Sequence, residues 1–497
     1  MSILYKSTRG DGSTVTASQA ILQGLSADGG LFVPTEIPEL GLDLAAAAEM
    51  TYQELAFEIL SKFLSDFTEE ELKNCINNAY DSKFDTEEIA PVVNVDGVNY
   101  MELFHGATIA FKDMALSILP HLLTTAARKN NITNDIVILT ATSGDTGKAA
   151  LAGFADVPGT KIIVFYPDGG VSNIQRLQMV TQKGDNTCVI GVKGNFDDCQ
   201  SAVKKMFNDP ALKAEIGSKG YQFSSANSIN IGRLVPQVVY YVWAYTRLVK
   251  NGTIMVGDKI NFVVPTGNFG NILAGYYAKL MGLPVNKFIC ASNDNKVLFD
   301  FFQTGTYDKN REFILTSSPS MDILISSNLE RLIYRIAGES EEVNRQLMCD
   351  LSTKGVYTIT DEMRAKLADF YGEYASDEET IAQIRKVYEN SEYVMDTHTA
   401  VASCAYDKYV EATGDKTPVV IVSTASPFKF LHAVVRAIDP EHVDMLSDYD
   451  LIYRIDMLRN KAGIPKTIQD ILALPIRHKT VCEISEMEAN VKGFLGI

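Results

Sequence analysis

The 497-residue sequence predicts an α/β fold in which mostly parallel sheets are covered by helices. Three observations predict this fold class. After residue 110, short apolar runs of the kind that form buried strands recur along the chain. Loops rich in glycine, serine, threonine or asparagine follow several of them, and stretches with helical spacing come next. Strand, loop and helix in repeated order are typical of parallel sheets, in which ligands bind at the carboxyl ends of the strands.

The part of the chain before residue 110 has a different pattern. It begins with a region predicted to be mixed and largely helical, with helical spacing over residues 51–66 and 69–79. Thr68 opens a segment that resembles a capping box, so we expect the second of these helices to begin there. Residues 92–104 are strand-like on both sides of Asp96-Gly97, which predicts a hairpin.

The alternating part of the chain contains further predicted strands and helices. Asp197 or Asp198 is expected to cap a helix that runs to residue 207, because aspartate accepts hydrogen bonds from free N–H groups at a helix start. The predicted strands are residues 136–139, 161–166, 188–192, 261–264 and 419–422, and two other predicted helices are residues 148–154 and 272–280.

The composition is that of a globular protein with an acidic charge balance. The formal net charge is -17, so nucleic-acid binding lacks its usual electrostatic basis. The seven cysteines contain no C-x-x-C pair and the six histidines no metalloprotease spacing. No apolar run reaches bilayer length, and the N-terminus lacks a signal-peptide pattern. We therefore expect a cytoplasmic protein with no nucleic-acid, membrane or metal partner.

The first chemical motif is the segment 105–113, in which Lys112 stands among mostly apolar residues. Burial disfavours the charged ammonium group, and a neutral amine can form a Schiff base with an aldehyde. Two simpler interpretations stay open. Most lysines lie on the surface, and Asp113 could hold Lys112 in an ion pair.

The second motif is a Gly/Asn loop, residues 267–271, between a predicted strand and a predicted helix. Backbone N–H groups at a helix N-terminus bind phosphate. The simpler interpretation is a tight turn that needs glycine for a positive φ. The spacing matches neither a dinucleotide fingerprint nor a Walker A loop. A phosphate loop together with a lysine in an apolar setting points to pyridoxal phosphate, an aldehyde that carries a phosphate.

Two further loops follow predicted strands. Residues 142–148 resemble a P-loop, but Thr142 stands where a glycine is required and Ala149 follows the lysine. We interpret this loop as a hydroxyl-and-backbone cradle for a carboxylate, with ordinary capping by Ser143 or Thr146 as the alternative. Thr424 follows the predicted strand 419–422. The simpler interpretation of this threonine is a helix cap beside Pro427.

These motifs stand in an order that resembles a known family. At the N-terminus, residues 5–9, 19–25 and 28–34 are similar to that family's opening signature. The central matches are residues 102–106, 110–113, 142–147, 194–200, 227–230 with Arg233, Pro236 and Gln237, and 265–271. On these segments the chain resembles the threonine synthase family, whose members are pyridoxal-phosphate enzymes of fold type II.

The resemblance implies an architecture for the whole chain. It implies two mostly parallel sheet domains covered by helices, with the cofactor in the cleft between them, plus a mixed N-terminal region. The expected segments are an N-terminal region 1–85, a catalytic core 90–435 with a smaller subdomain of about 115–228 inserted, and a C-terminal helical extension 436–497.

The resemblance also implies a role for each matching residue. Lys112 would form the Schiff base and move protons, Thr424 would face the pyridine nitrogen, and Asp145 would lie near the 3′-oxygen of the cofactor. The other implied assignments are the cofactor phosphate at Gly267, Asn268, Phe269, Gly270 and Asn271, the substrate carboxylate near Ser143, Asp145 and Thr146, and the substrate phosphate at Asn230 and Arg233.

The implied activity is conversion of O-phospho-L-homoserine and water to L-threonine and phosphate, by γ-elimination and β-addition. We expect a phosphorylated amino acid as substrate and a monomer or homodimer. One alternative is another fold type II lyase, either a serine/threonine dehydratase or a threonine-synthase-like phospholyase. A second is a non-catalytic protein that binds pyridoxal phosphate or phosphate. The chain departs from the family pattern at Ala107 and Thr397, where proline is common, and at Ser426, where histidine is usual.

Overall fold

Two sheets organise the chain in the computed structural model, which describes residues 2–10, 12–142, 144–441 and 443–497. The strands are β1 Tyr5–Ser7, β2 Thr14–Val15, β3 Phe32–Pro34, β4 Val92–Val95, β5 Val98–Glu102, β6 Asp135–Ala141, β7 Thr160–Pro167, β8 Thr187–Lys193, β9 Tyr221–Ser224, β10 Ile260–Pro265, β11 Val285–Ser292, β12 Thr306–Asp308, β13 Val356–Thr358, β14 Phe370–Tyr374, β15 Val419–Ser423 and β16 Val481–Glu483.

Helices pack around both sheets. They are α1 Ala17–Gln23, α2 Leu44–Ala47, α3 Tyr52–Phe63, α4 Glu69–Ala79, α5 Asp113–Leu116, α6 Leu119–Lys129, α7 Asp145–Phe154, α8 Asn173–Val180, α9 Phe196–Asn208, α10 Pro210–Ser218, α11 Ile231–Leu234, α12 Pro236–Lys250, α13 Gly270–Leu280, α14 Val297–Thr304, α15 Leu329–Ile336, α16 Glu341–Thr353, α17 Asp361–Ala365, α18 Asp377–Ser391, α19 Thr397–Thr413, α20 Leu431–Ile438, α21 Asp448–Leu458, α22 Lys466–Ala473 and α23 Met487–Leu495. Across the described ranges, no helix has both the length and the apolar character needed to span a membrane.

The larger sheet has the strand order β14-β11-β10-β15-β5-β4. All neighbouring strands are parallel except β4 and β5, which form a hairpin. Alternate residues of β10 enter two different cores: Phe262 and Val264 enter the main core, and Val263 enters the core beneath α19. Both faces of the strand are therefore buried, which is why it appears in the sequence as a continuous apolar run.

The smaller sheet has the strand order β16-β8-β7-β6-β9, and all of its pairs are parallel. Val137 and Ile163 pack on one face with Met206 of α9 and Val491 of α23. The C-terminal extension was predicted to be helical, and the structure adds a strand to it, because β16 pairs with β8. A three-residue strand has too few positions to show periodicity, so only its partner strand reveals it.

The predicted hairpin is confirmed, with Asp96 and Gly97 at positive φ in the turn between β4 and β5. The capping box that opens at Thr68 is confirmed as well. The expected cap of α9 is only partly right, because the N-cap is Asn195 and Asp198 is its partner in a capping box. Asn195 accepts the hydrogen bond from the Asp198 N–H, and the Asp198 carboxylate accepts one from the Asn195 N–H. Helix α7 begins at Asp145, three residues before the predicted start.

Candidate active site

The chain segment before Lys112 lies against the segment that follows strand β15. The Phe111 N–H donates to the Thr424 carbonyl oxygen at 2.8 Å, and the Ser426 N–H donates to the Ile109 carbonyl oxygen at 3.0 Å. An isolated antiparallel bridge joins Ala110 to Ala425 between these bonds. Two candidate residues more than 300 positions apart, Lys112 and Thr424, are thereby held side by side at the carboxyl end of the larger sheet.

Lys112 precedes helix α5 and is partly accessible from the cleft. Desolvation lowers the pKa of its amine to about 8, with Asp145 opposing this shift and Lys429 and Arg233 reinforcing it. The amine makes no hydrogen bond or ion pair with any residue that the structure describes. Its lowered pKa gives it a larger neutral fraction near neutral pH than an exposed lysine has, and no partner in the described part of the chain blocks its reaction.

The alternative that Asp113 pairs with Lys112 is wrong. The Asp113 carboxylate accepts hydrogen bonds from the Thr108 N–H at 2.7 Å and from the Thr108 hydroxyl at 2.6 Å. Both groups are buried, and burial raises the pKa of Asp113. The carboxylate is used to hold the loop before α5, and the ε-amine of Lys112 points elsewhere.

The Gly/Asn loop connects β10 to α13, as predicted, but its glycines serve a different purpose. The positive φ of 63° belongs to Phe269, whereas Gly267 and Gly270 have ordinary backbone angles. A Cβ at position 267 would lie 2.7 Å from the Ser320 carbonyl oxygen. Gly267 is thus required by the close approach of another backbone segment, and the interpretation that glycine supplies the positive φ is wrong.

The N-terminus of α13 has the groups that an anion needs. Among the described residues no side chain caps this helix, so its first N–H groups are open to a ligand. The Asn271 side-chain Oδ1 accepts hydrogen bonds from the Tyr240 and Tyr241 hydroxyls, both at 2.7 Å, and these orient the amide. The buried Asn271 Nδ2 has no acceptor among the described residues. An oriented donor without an acceptor fits a phosphate at this loop.

Asp145 begins helix α7 at the end of the smaller sheet and faces the larger one. Its carboxylate contacts the Lys429 ammonium group at 2.9 Å, the Ser320 hydroxyl at 3.1 Å and the Gln175 amide at 3.2 Å. Burial opposes ionisation, but the charges of Lys429 and then Lys112 outweigh it and lower the pKa of Asp145. The carboxylate is therefore ionised. Its ion pair with Lys429 links helix α7, at the smaller sheet, to the segment that follows β15 of the larger sheet.

Thr146 and Ser143 are the other two residues predicted in this loop. Thr146 is half-buried on the first turn of α7, and its hydroxyl has no partner among the residues described. Ser143 lies outside the described residues. The roles that the resemblance implies for Ser143, Asp145 and Thr146 toward a substrate carboxylate stay predictions.

Asn230 and Arg233, the two candidates for a substrate phosphate, have different surroundings. Asn230 is the N-cap of α11: its amide donates to the Ile21 carbonyl oxygen and its oxygen accepts from the Gly232 N–H, both at 2.9 Å. These bonds give Asn230 a structural task. Arg233 donates from Nη1 to the Ala226 carbonyl oxygen at 3.0 Å, while its buried Nε has no acceptor among the described residues.

Of the two, Arg233 therefore remains the stronger candidate for binding an anion. Burial lowers the pKa of its guanidinium to about 10, and no carboxylate in the described part of the chain forms an ion pair with it. A buried cation without a counter-charge is costly, and an anionic ligand relieves that cost.

Sequence reasoning assigned no role in the site to Lys429, His398 or Ser320. The Lys429 side chain is completely buried and pairs with Asp145. The His398 ring accepts the Ser320 N–H at 3.1 Å through Nε2 and contacts Asp396 at 2.8 Å through Nδ1. Lys429 follows strand β15 and lies between Phe428 and Phe430, and this apolar setting, like that of Lys112, was the signal that could have found it.

Two of the departures from the family pattern are accommodated locally. The Thr397 hydroxyl donates to the Ser317 carbonyl oxygen at 2.7 Å, and the Ser426 hydroxyl accepts the Phe428 N–H at 3.4 Å. Both side chains are buried and bonded, so these substitutions leave the site intact.

Family models match almost the whole chain. The model described as pyridoxal-phosphate dependent enzyme matches residues 89–425, that of the threonine synthase N terminus matches 4–80, and that of the threonine synthase C-terminal region matches 399–492. The chain belongs to the threonine synthase family. Membership confirms the predicted fold type II architecture, the enzyme class and the predicted pyridoxal phosphate cofactor.

Individual members of the threonine synthase family agree with this assignment. Threonine synthase of Schizosaccharomyces pombe is 39% identical over 464 residues, which cover 87% of this chain and 88% of the relative. Human threonine synthase-like 1 is 40% identical over 447 residues, covering 87% of this chain. The chain spans 59% of the length of that human relative and of its counterparts from two other primates.

Solved structures of the family have the same fold. The structure of pyridoxal-phosphate-bound threonine synthase from Brucella melitensis is similar with a TM-score of 0.89, at 33% identity and with complete coverage of both chains. Yeast threonine synthase is similar with a TM-score of 0.88, at 34% identity and with 99% of each chain covered.

Proposed function

We propose that the protein is a threonine synthase that converts O-phospho-L-homoserine and water to L-threonine and phosphate. The observation that carries this proposal is the partly accessible amine of Lys112, which has no partner in the described site and lies beside Thr424 and among buried cations. The open N-terminus of α13 and the unbonded Asn271 amide provide for the cofactor phosphate.

Lys112, the loop 267–271 and Thr424 would hold pyridoxal phosphate. When bound, the cofactor supplies an aldehyde for Lys112 and an electron sink for the substrate carbons. The Thr424 hydroxyl is a neutral partner for a ring nitrogen, so it favours protonation of that nitrogen less than a carboxylate would.

The residues of the chain would act in sequence on the substrate. The N-terminus of α7 and Thr146 bind its carboxylate. Lys112 Nζ takes the α-proton, since its lowered pKa leaves neutral amine available close to neutral pH. A β-proton and the γ-phosphate then leave, the γ-carbon takes up a proton to become the methyl group, the hydroxyl of water adds at the β-carbon, and Lys112 returns a proton to the α-carbon. The buried guanidinium of Arg233 binds the phosphate throughout, because that charge has no competing carboxylate in the described site.

The test measures threonine and phosphate released from O-phospho-L-homoserine by the purified holoenzyme. Lys112→Ala should lose all turnover, because the amine that attaches the cofactor and moves the proton is gone. Lys183→Ala removes an exposed lysine and is the matched control, for which full activity is expected. Substantial threonine formation by Lys112→Ala would rule the scheme out.

A second candidate is another fold type II lyase acting on a hydroxy or phosphorylated amino acid. It is favoured by the relatives at 40% identity that carry only the name threonine synthase-like 1. Turnover of O-phospho-L-homoserine, O-phospho-L-threonine and L-threonine, compared side by side, separates the two functions. Phosphate release without threonine would favour the phospholyase, and no turnover with bound cofactor would favour a non-catalytic binding protein.

We further propose the segments 1–85, 90–435 and 436–497 as structural units, with 115–228 as the inserted subdomain. The strands of the smaller sheet that lie in 135–224 support the inserted subdomain.

A cytoplasmic location is supported by the seven free cysteines. Light scattering on the purified protein would decide between a monomer and a homodimer, and filter binding would test the expectation of no nucleic-acid partner.

A further inference from the structure

We propose that Lys429 is a substrate-binding residue, whose ammonium group leaves Asp145 to bind the phosphate of the phosphorylated amino acid. The inference rests on the proposed function and extends it, since the resemblance assigns no role to this lysine. Lys429 Nζ lies 2.9 Å from Asp145 Oδ1 and 3.1 Å from the Thr108 carbonyl oxygen. The side chain is completely buried, so no surface role is open to it.

Lys429 lies close to Thr424 and to the segment that carries Lys112. It follows Thr424 by five residues, and its partner Thr108 precedes Lys112 by four. The electrostatic interaction between the Lys429 and Lys112 amines is large enough to lower the pKa of Lys112. A ligand that reaches Lys112 is therefore within the field of the Lys429 charge.

Charge in this region favours an anion as the ligand. Four cationic side chains interact with one another here, and two carboxylates, Asp113 and Asp145, oppose them. The four cations are Lys112, Lys148, Arg233 and Lys429. Burial lowers the pKa of Lys112 to about 8 and that of Lys148 to about 7, so a phosphate dianion bound here would favour the charged forms of these lysines.

The ion pair can open without leaving a buried carboxylate unsatisfied. Asp145 keeps two further donors, the Ser320 hydroxyl at 3.1 Å and the Gln175 amide at 3.2 Å. Lys429 keeps the Thr108 carbonyl oxygen, and its three-donor ammonium group can turn toward a new acceptor. Asp145 thus holds the Lys429 ammonium group in a buried position until the substrate phosphate replaces Asp145 as its partner.

The experiment measures equilibrium binding of two ligands to the holoenzyme by calorimetry. L-2-amino-5-phosphonopentanoate replaces the ester oxygen of the substrate by carbon and cannot release phosphate, whereas L-norvaline has the same carbon chain without the phosphonate. Lys429→Met should weaken phosphonate binding about 10- to 150-fold, the range for a charged hydrogen bond. It should change norvaline binding less than threefold. Lys429→Arg should restore most of the phosphonate affinity, and the exposed-site control Lys183→Met should change neither.

Two outcomes would overturn the assignment. Equal weakening of both ligands would show that Lys429 maintains the site without binding phosphate, and unchanged affinity for both would show that it takes no part. If Lys429→Met does not fold, the double variant Asp145→Asn/Lys429→Met, which removes both charges of the pair, replaces it. Its affinities for the two ligands are then compared with those of Asp145→Asn alone, and equal weakening or no change would again overturn the assignment. The binding data are independent of turnover. Absence of threonine formation would therefore refute the proposed function, whereas the role of Lys429 would still be decided by the binding data.

Discussion

Replacing Gly267 with alanine should destabilise the cofactor-free protein, whereas the same change at Gly270 should not. A Cβ at position 267 would lie 2.7 Å from the Ser320 carbonyl oxygen, closer than a carbon and a backbone oxygen approach without displacement. The nearest atom to a Cβ at position 270 is the Asn328 side-chain nitrogen, at 3.4 Å. Neither glycine has a positive φ, so backbone strain does not distinguish the two variants.

The expected magnitude follows from the kind of atom that must move. The Ser320 N–H donates to His398 and the Ser320 hydroxyl donates to Asp145, so the backbone oxygen of this residue cannot yield as a flexible side-chain end would. Overpacking of this sort costs about 1–3 kcal/mol. For Gly270→Ala we expect a change within about 0.5 kcal/mol, in the range of substitutions that meet ordinary contacts.

Urea denaturation of the cofactor-free protein measures this difference. Trp243 is the single tryptophan and is buried, so its fluorescence reports unfolding of the core around α12. Using the cofactor-free protein removes any contact between a new methyl group and a bound phosphate. Equal denaturation midpoints for the two variants would refute the argument that Ser320 requires a glycine at position 267.

Two further predictions concern pH. In the cofactor-free protein, acylation of Lys112 followed by peptide mass spectrometry should show a rate that rises through about pH 8, because burial lowers its pKa to about 8. A midpoint near that of exposed lysines would contradict this. His105→Gln should destabilise the protein by about 1–2 kcal/mol more at pH 6 than at pH 10. Burial opposes protonation of His105, but hydrogen bonds to Asp85 and Glu102 raise its pKa to about 9. The stabilisation is fully present below pH 6.5 and is lost as pH rises through 9. Urea denaturation at both pH values tests it, and equal destabilisation would show that His105 is not charged in the folded protein.

Local sequence predicted those elements whose formation depends on neighbouring residues. The five predicted strands all exist, because a strand buried on both faces needs an uninterrupted apolar run. The turn at Asp96-Gly97 and the capping box at Thr68 form from contacts within a few residues. The start of α7 was placed too late, since glycine and aspartate at its first turn do not resemble helix-forming residues.

Other features depend on contacts between distant segments, and local pattern could not supply them. Gly267 is needed because Ser320 approaches it, and strand β16 exists because β8 offers it an edge. The pairing of Asp113 with Thr108 was indistinguishable in the sequence from a pairing with Lys112.

By itself, the sequence determined which candidate groups are present: a lysine in an apolar segment, a Gly/Asn loop after a strand, and the order of motifs that identifies the family. Only the tertiary structure decided which of the cations are neutralised and which are not. Lys429 is paired with Asp145, whereas Arg233 has no carboxylate partner in the described site. The physical reason is that burial and charge separation are set by segments hundreds of residues apart, and these quantities decide the protonation and ligand preference of each group.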